Sequence, residues 1–207
     1  MSFTTYYERR QVVRKDEARR LEELLAKKTT KEPRNVLTRR LKFDNLTPLP
    51  DEGRYSICMM DFDPEQIYLE LKYVQKGITY KKLTKLTENN CISVLEGNVE
   101  WMEASKDKLI QGFYRQMLLN NIRPGNVIET CKSVYCWKAD YISLKRSVRS
   151  IRNNGYNFFD PNTYMIQCLD YDKVELNQKQ AVTLPRFIET VLYGTDDVGE
   201  DMLAFVI

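Results

Sequence analysis

The run from Ile67 to Leu86, IYLELKYVQKGITYKKLTKL, alternates apolar and polar residues through two segments separated by a glycine. A period of two fits a half-buried strand, so the run reads as a strand, a turn and a returning strand. Leu69, Leu71 and Tyr73 then share one face, while Glu70 and Lys72 share the other, and the return strand adds Lys81, Lys82 and Lys85. The apolar face has to be buried against a core. The polar face meets either bulk water or a solvent-filled interior, and for an isolated hairpin bulk water is the plainer reading.

The flanking sequence supplies more strands in hairpin succession, which favours antiparallel pairing. Thr4 to Val13, Asn35 to Asp44, Arg54 to Asp61, Val127 to Trp137, Tyr141 to Ile151 and Tyr164 to Asp172 all read as strands by β-branched and aromatic content or by their turn-rich borders. Helices are expected at Lys15 to Lys28, from Thr87 to a stop at Gly97, from a Ser105 cap to about Asn121, and at Leu184 to Tyr193. No internal repeat and no long linker interrupts the chain. The expectation is one α+β domain over residues 1–207 with an antiparallel sheet or barrel at its centre.

Composition narrows the chemistry. The chain contains no histidine, which removes the usual imidazole base, metal ligand and near-neutral switch. Catalytic triads are excluded for the same reason, and no GxxxxGK[ST], GxGxxG or GxSxG motif is present. Five cysteines without a zinc-type CxxC pair read as buried thiols in a reducing compartment, small hydrophobes of a core. Any metal would have to sit on oxygen, which points to Mg²⁺ or Mn²⁺. Thirty-two basic against 29 acidic residues leave a net charge of +3, too little for a nucleic-acid-binding surface spread over the molecule. No apolar run approaches the roughly 20 residues that cross a bilayer, and the first residues lack a signal peptide, so a cytoplasmic protein is expected, held to a membrane only through a partner.

Other strands also carry charge at alternating positions. YERRQ places Glu8 and Arg10 on one face, TRRLKFD offers Arg39 or Arg40, and Lys132 lies among apolar neighbours. Repeated over several strands, this pattern describes a barrel with a polar lumen. Clustered Arg and Lys bind phosphate oxygens through charge-assisted bonds, and carboxylates among them can hold a dication. A polyphosphate or nucleoside triphosphate is the ligand class these residues imply.

The succession YERRQVV, RRLKFDN, LELKYVQKGITYKKLTKLT, EGNVEW, FYRQMLLNNIRP, SVYCW, MIQCLDYD and LPRFIETVL resembles the VTC-type polyphosphate polymerase domain of the triphosphate tunnel metalloenzymes over nearly the whole chain. The resemblance implies an antiparallel barrel with peripheral helices, whose tunnel binds triphosphate and Mn²⁺ or Mg²⁺ and transfers the ATP γ-phosphoryl group to polyphosphate. It implies Lys72, Lys82 and Lys132 as catalytic residues and Glu8 and Glu70 as metal-placing acids. Arg10, Arg39, Arg40, Arg54, Lys81, Lys85, Lys145 and Arg146 are the implied phosphate-binding cations.

The chain departs from that pattern at several points. Ser56 and Cys58 stand where the family has an RxR strand. Cys168 and Asp170 stand for a late Glu and Lys, and the end of the chain is the acidic TDDVGEDMLAF. Two expectations follow: a phosphotransferase with a rearranged tunnel, or a catalytically degenerate relative that keeps the barrel as a binding or interaction module.

Overall fold

In the computed structural model, residues 2–29, 32–44, 53–137, 140–153, 157–179, 188, 190 and 191 are described. The strands are β1 (Ser2–Arg14), β2 (Arg34–Asp44), β3 (Arg54–Met60), β4 (Ile67–Gln75), β5 (Ile78–Lys85), β6 (Arg123–Trp137), β7 (Asp140–Arg152), β8 (Ile166–Gln167) and β9 (Lys173–Lys179). The helices are α1 (Lys15–Lys28), α2 (Glu88–Glu96) and α3 (Lys108–Leu119). The hydrogen-bonded order is β6-β2-β3-β4-β5-β1-β9-β7-β8, and a further β6–β7 pairing closes eight of the strands into a ring. The β1–β9, β2–β3, β3–β4, β4–β5, β7–β8 and β7–β9 ladders are antiparallel. The result is the α+β antiparallel barrel with helices that the sequence leads one to expect, consistent with the triphosphate tunnel fold.

The chain divides into two compact units. Unit 1 comprises Met1–Tyr6, Leu37–Thr130 and Val148–Cys168; unit 2 comprises Tyr7–Val36, Cys131–Ser147 and Leu169–Ile207. In unit 1, alternate residues of β2, β3 and β4 (Leu41, Phe43, Ile57, Met59, Ile67, Leu69) pack against Cys91 and Val94 of α2 and Leu109, Ile110, Phe113 and Met117 of α3. The period of two in the strands thus meets helices whose apolar residues recur every three to four positions. Helix α2 stops where the sequence predicts, at Gly97, whose φ of +84° suits a residue without Cβ. The β4–β5 hairpin turns through Lys76 and Gly77, both at positive φ, as a two-residue type I′ connection requires.

In unit 2, Ala18, Leu21 and Leu25 of α1 pack on Val13 of β1, Tyr135 of β6, Ile142 and Leu144 of β7, and Val174 and Leu176 of β9. Ile188 joins this core, whereas most of the helix expected at Leu184 to Tyr193 lies outside the described residues. The acidic end of the chain also lies outside them.

Three boundaries differ from expectation. The cap of α3 is Asp107, whose carboxylate accepts from the Leu109 N–H at 2.7 Å, and not Ser105. Strand β6 starts at Arg123, four residues before Val127. The strand expected at Tyr164 to Asp172 shrinks to Ile166–Gln167, and the barrel strand is the next segment, Lys173–Lys179. KVELNQK has only two apolar residues, Val174 and Leu176, but they alternate and both are buried.

Candidate functional site

Because β2, β3 and β4 press one set of alternate side chains onto the helices, the other set faces away from them. Register fixes this second face. Arg40 is opposite Cys58 and Lys42 opposite Ser56. Ser56 is opposite Glu70, and Arg54 opposite Lys72. On β5, Lys81 is opposite Lys72 and Leu83 opposite Glu70. Directly opposed residues in an antiparallel ladder point to the same side. Arg54, Lys72 and Lys81 therefore form one rung of three cations across β3, β4 and β5. The next rung toward the other end is Lys42, Ser56, Glu70 and Leu83.

Glu70 is the buried centre of this face, with 2% of its surface exposed. Its Oε2 accepts from Lys81 Nζ at 2.6 Å, and Arg40 Nη2 reaches its carboxylate at 3.3 Å. Burial alone would push the carboxyl upward, but Arg40, Lys81 and the more distant Lys72 outweigh it and hold the group below the usual glutamate value. The Arg40 guanidinium is held above the usual arginine value by the field of Cys58 and by Glu70, against the opposing effect of burial. The Lys72 ammonium also lies 6.0 Å from the centre of the Tyr6 ring.

Arg39 belongs to the opposite face. It is 2% exposed, and its Nε and Nη2 donate to Glu129 Oε2 at 3.1 and 2.6 Å. Its Nη1 donates to the carbonyls of Asn157 at 2.8 Å and Asp160 at 2.6 Å, and its guanidinium sits 4.4 Å from the centre of the Phe62 ring. Arg149 pairs with the other oxygen of Glu129. This arrangement anchors the 157–160 segment and leaves Arg39 no role on the cationic face. Lys82 stands opposite Leu71, again on the helix-bearing side, so Lys81 takes the place beside Glu70. A one-residue offset in a strand moves a side chain to the other face. Lys85, opposite Tyr68 at the end of β5, is exposed and pairs with Glu65 at 2.9 Å.

In unit 2, Glu8 and Arg10 of β1 stand opposite Lys179 and Asn177 of β9. Glu8 Oε2 accepts from Arg10 at 2.9 Å and its Oε1 from Asn177 Nδ2 at 2.8 Å. Lys145 is opposite Glu175 and pairs with it at 2.5 Å. Arg146 points the other way, to Glu22 of α1 and Ser133. Lys132 lies on β6 and is half-buried. Sequence reasoning passed over Glu129, Glu175 and Asn177. Glu129 sits in the apolar-looking NVIET, and the other two sit in the strand whose position shifted. The late strand thus offers Glu175 and Asn177, rather than Cys168 and Asp170, beside the β1 pair.

Neither acid fits a divalent ion as it stands. Both oxygens of Glu70 are engaged by cations, and each oxygen of Glu8 accepts a bond from Arg10 or Asn177. Mg²⁺ and Mn²⁺ need several oxygen donors together, and no three Asp, Glu or Cys side chains cluster among the described residues. No helix among the described residues is long and apolar enough to cross a membrane.

The class this fold defines is a closed eight-stranded antiparallel barrel with helices, consistent with the triphosphate tunnel fold. Similar solved structures include a putative adenylate cyclase from Bacillus halodurans, with a TM-score of 0.54 and 13% identity, covering 93% of this chain and 88% of that one. A putative adenylyl cyclase from Hippeastrum with dominant triphosphatase activity has a TM-score of 0.52 and 12% identity, over 92% of this chain and 84% of that one. A chain of the Schizosaccharomyces pombe Mediator head module has a TM-score of 0.51 and 8% identity, over 91% and 90%. No protein-family model and no curated protein matches the sequence. At such identities the likeness shows the fold.

Proposed function

We propose that this chain binds a triphosphate group, of polyphosphate or of a nucleoside triphosphate such as ATP, on the cationic face of unit 1. The observation that carries this reading is the rung Arg54, Lys72 and Lys81, with Arg40 and Lys42 on the same face. Like charges directly opposite each other on one face destabilise a sheet by a few tenths of a kcal/mol or more per pair. Glu70 at the centre of the face and the exposed Asp44 at the end of β2 offset them only in part. A linear polyanion laid across the three strands would relieve that repulsion and gain a charge-assisted bond to each cation. The triphosphatase activity of the Hippeastrum protein supports the same ligand class.

The resemblance to VTC-type domains would extend binding to transfer of the ATP γ-phosphoryl group onto polyphosphate, with the same cations stabilising the charge that develops. A second reading is a barrel that binds without transferring, a pseudoenzyme or interaction module. Ser56 and Cys58, which replace two cations at the centre of the face, favour it. So does the likeness to a chain of a multi-protein assembly.

Calorimetry with tripolyphosphate tests the binding claim, and incubation with ATP and Mn²⁺, scored for ADP and polyphosphate, separates the two readings. The expected result is saturable binding that weakens steeply with salt and falls more than about tenfold in Lys72→Ala. Absence of any tripolyphosphate binding at low salt would sink both.

A further inference from the structure

We infer that the cationic face of unit 1 takes its triphosphate as the free anion, and that Mg²⁺ or Mn²⁺ competes with the protein for that ligand instead of bridging the two. The inference rests on the triphosphate reading above and specifies the form in which the ligand binds.

Glu70 is the buried carboxylate on this face and it is committed; the other described acid in phase with it, Asp44, is exposed at the end of β2 beyond Lys42. Lys81 Nζ lies 2.6 Å from one oxygen, and Arg40 Nη2 lies 3.3 Å from each. A dication on Glu70 would have to displace these partners and would then sit beside an ammonium and a guanidinium, whose repulsion opposes it. The residues flanking Glu70 in register supply one hydroxyl, from Ser56, and an alkyl group, from Leu83. A hard cation that needs six or more oxygen ligands finds no second acid there.

Glu70 is instead saturated by Arg40 and Lys81, whose charges it partly offsets. The charge balance agrees. Arg40, Lys42, Arg54, Lys72 and Lys81 against Glu70 and Asp44 leave three net positive charges, five minus two. A metal-free triphosphate can neutralise them. The same ligand carrying a dication has two fewer negative charges and some of its oxygens already occupied.

The test is calorimetry of the full chain with tripolyphosphate at constant ionic strength, first in EDTA and then with Mg²⁺ in excess of ligand, together with Mg²⁺ and Mn²⁺ titrated alone. The expected result is saturable binding in EDTA and an affinity at least about tenfold lower in excess Mg²⁺. The metals alone should give no saturable heat. Glu70→Gln, which removes the buried negative charge at the centre of the face, should tighten metal-free binding about threefold or more.

Binding seen only with Mg²⁺ and lost in Glu70→Gln would overturn this inference and leave the triphosphate reading standing. Equal affinity with and without Mg²⁺ would overturn the competition. No binding under either condition would overturn both the inference and the reading it rests on. The wild-type metal series decides the matter even if Glu70→Gln does not fold.

Discussion

Arg39 and Arg40 are adjacent in sequence and point to opposite faces, so replacing Arg39 by methionine should damage the fold and spare the proposed anion site. The arginine is 2% exposed and donates from two nitrogens to Glu129, itself 2% exposed, and from the third to two backbone carbonyls. Methionine keeps much of the volume and removes every one of those donors. Glu129 would keep Arg149, whose side chain is 44% exposed. Breaking a buried pair from one side costs about 3–5 kcal/mol. The Asn157 and Asp160 carbonyls lose their arginine donor but each keeps a bond from Thr163, which places this case near the middle, about 4 kcal/mol. With a typical urea slope, that lowers the unfolding midpoint by roughly 2 M.

Removing both charges, in Arg39→Met with Glu129→Leu, should recover part of the loss, because no carboxylate is then buried without its partner. Urea unfolding followed by circular dichroism measures both variants. A single variant within about 1 kcal/mol of wild type, or a double variant less stable than the single, would refute the argument. Tripolyphosphate affinity should be unchanged in folded Arg39→Met.

Other expectations follow from single groups. The folded-state pKa of Glu70 lies below the unfolded value of 4.5, so its ion pairs contribute fully above that pH and are lost as the pH falls through the folded value. Urea midpoints taken downward from about pH 5 should therefore fall more steeply for wild type than for Glu70→Gln. Asp107 caps α3 through the Leu109 N–H and accepts from the Thr84 hydroxyl at 2.6 Å, so Asp107→Ala should cost about 1–2 kcal/mol in thermal unfolding and Asp107→Asn much less. Against the expectation of buried thiols throughout, Cys131, Cys136 and Cys168 are exposed; Cys58 and Cys91 are buried, and burial pushes the Cys91 thiol up to about 12. Alkylation of the native protein followed by mass spectrometry should find three modified cysteines, and modification of Cys91 without denaturant would contradict its burial.

The barrel was legible because its strands alternate and its turns are marked. The Ile67 to Leu86 hairpin needed no tertiary information, since Gly77 fixed the turn and Leu69 and Leu71 fixed the core face. The late strand was not legible. Its polar residues, Glu175, Asn177 and Lys179, are individually poor strand formers, and the preceding TYMIQ has the composition of a strand without the partners to extend one. The site was half legible for a related reason. Sequence identifies which residues carry charge, but in RRLKFD and YKKL two like residues are adjacent, and only the ladder decides which one faces the helices. Register placed Arg40 and Lys81 on the cationic face and Arg39 and Lys82 on the other. Glu129 had no sequence signal, because a lone acid among apolar residues does not reveal that an arginine ninety positions earlier will bury it.

That register supplies the most direct test of the central claim. Lys81 and Lys82 are neighbours of identical chemistry on opposite faces of β5, so alanine substitutions remove the same charge from opposite faces, Lys81 being also the partner of Glu70. Tripolyphosphate affinity, measured by calorimetry at low salt, should fall more than about tenfold in Lys81→Ala, the loss of one charge-assisted bond, and stay within about twofold in Lys82→Ala. Equal losses in the two variants, or a larger loss in Lys82→Ala, would show that the anion is not held on the face built around Glu70.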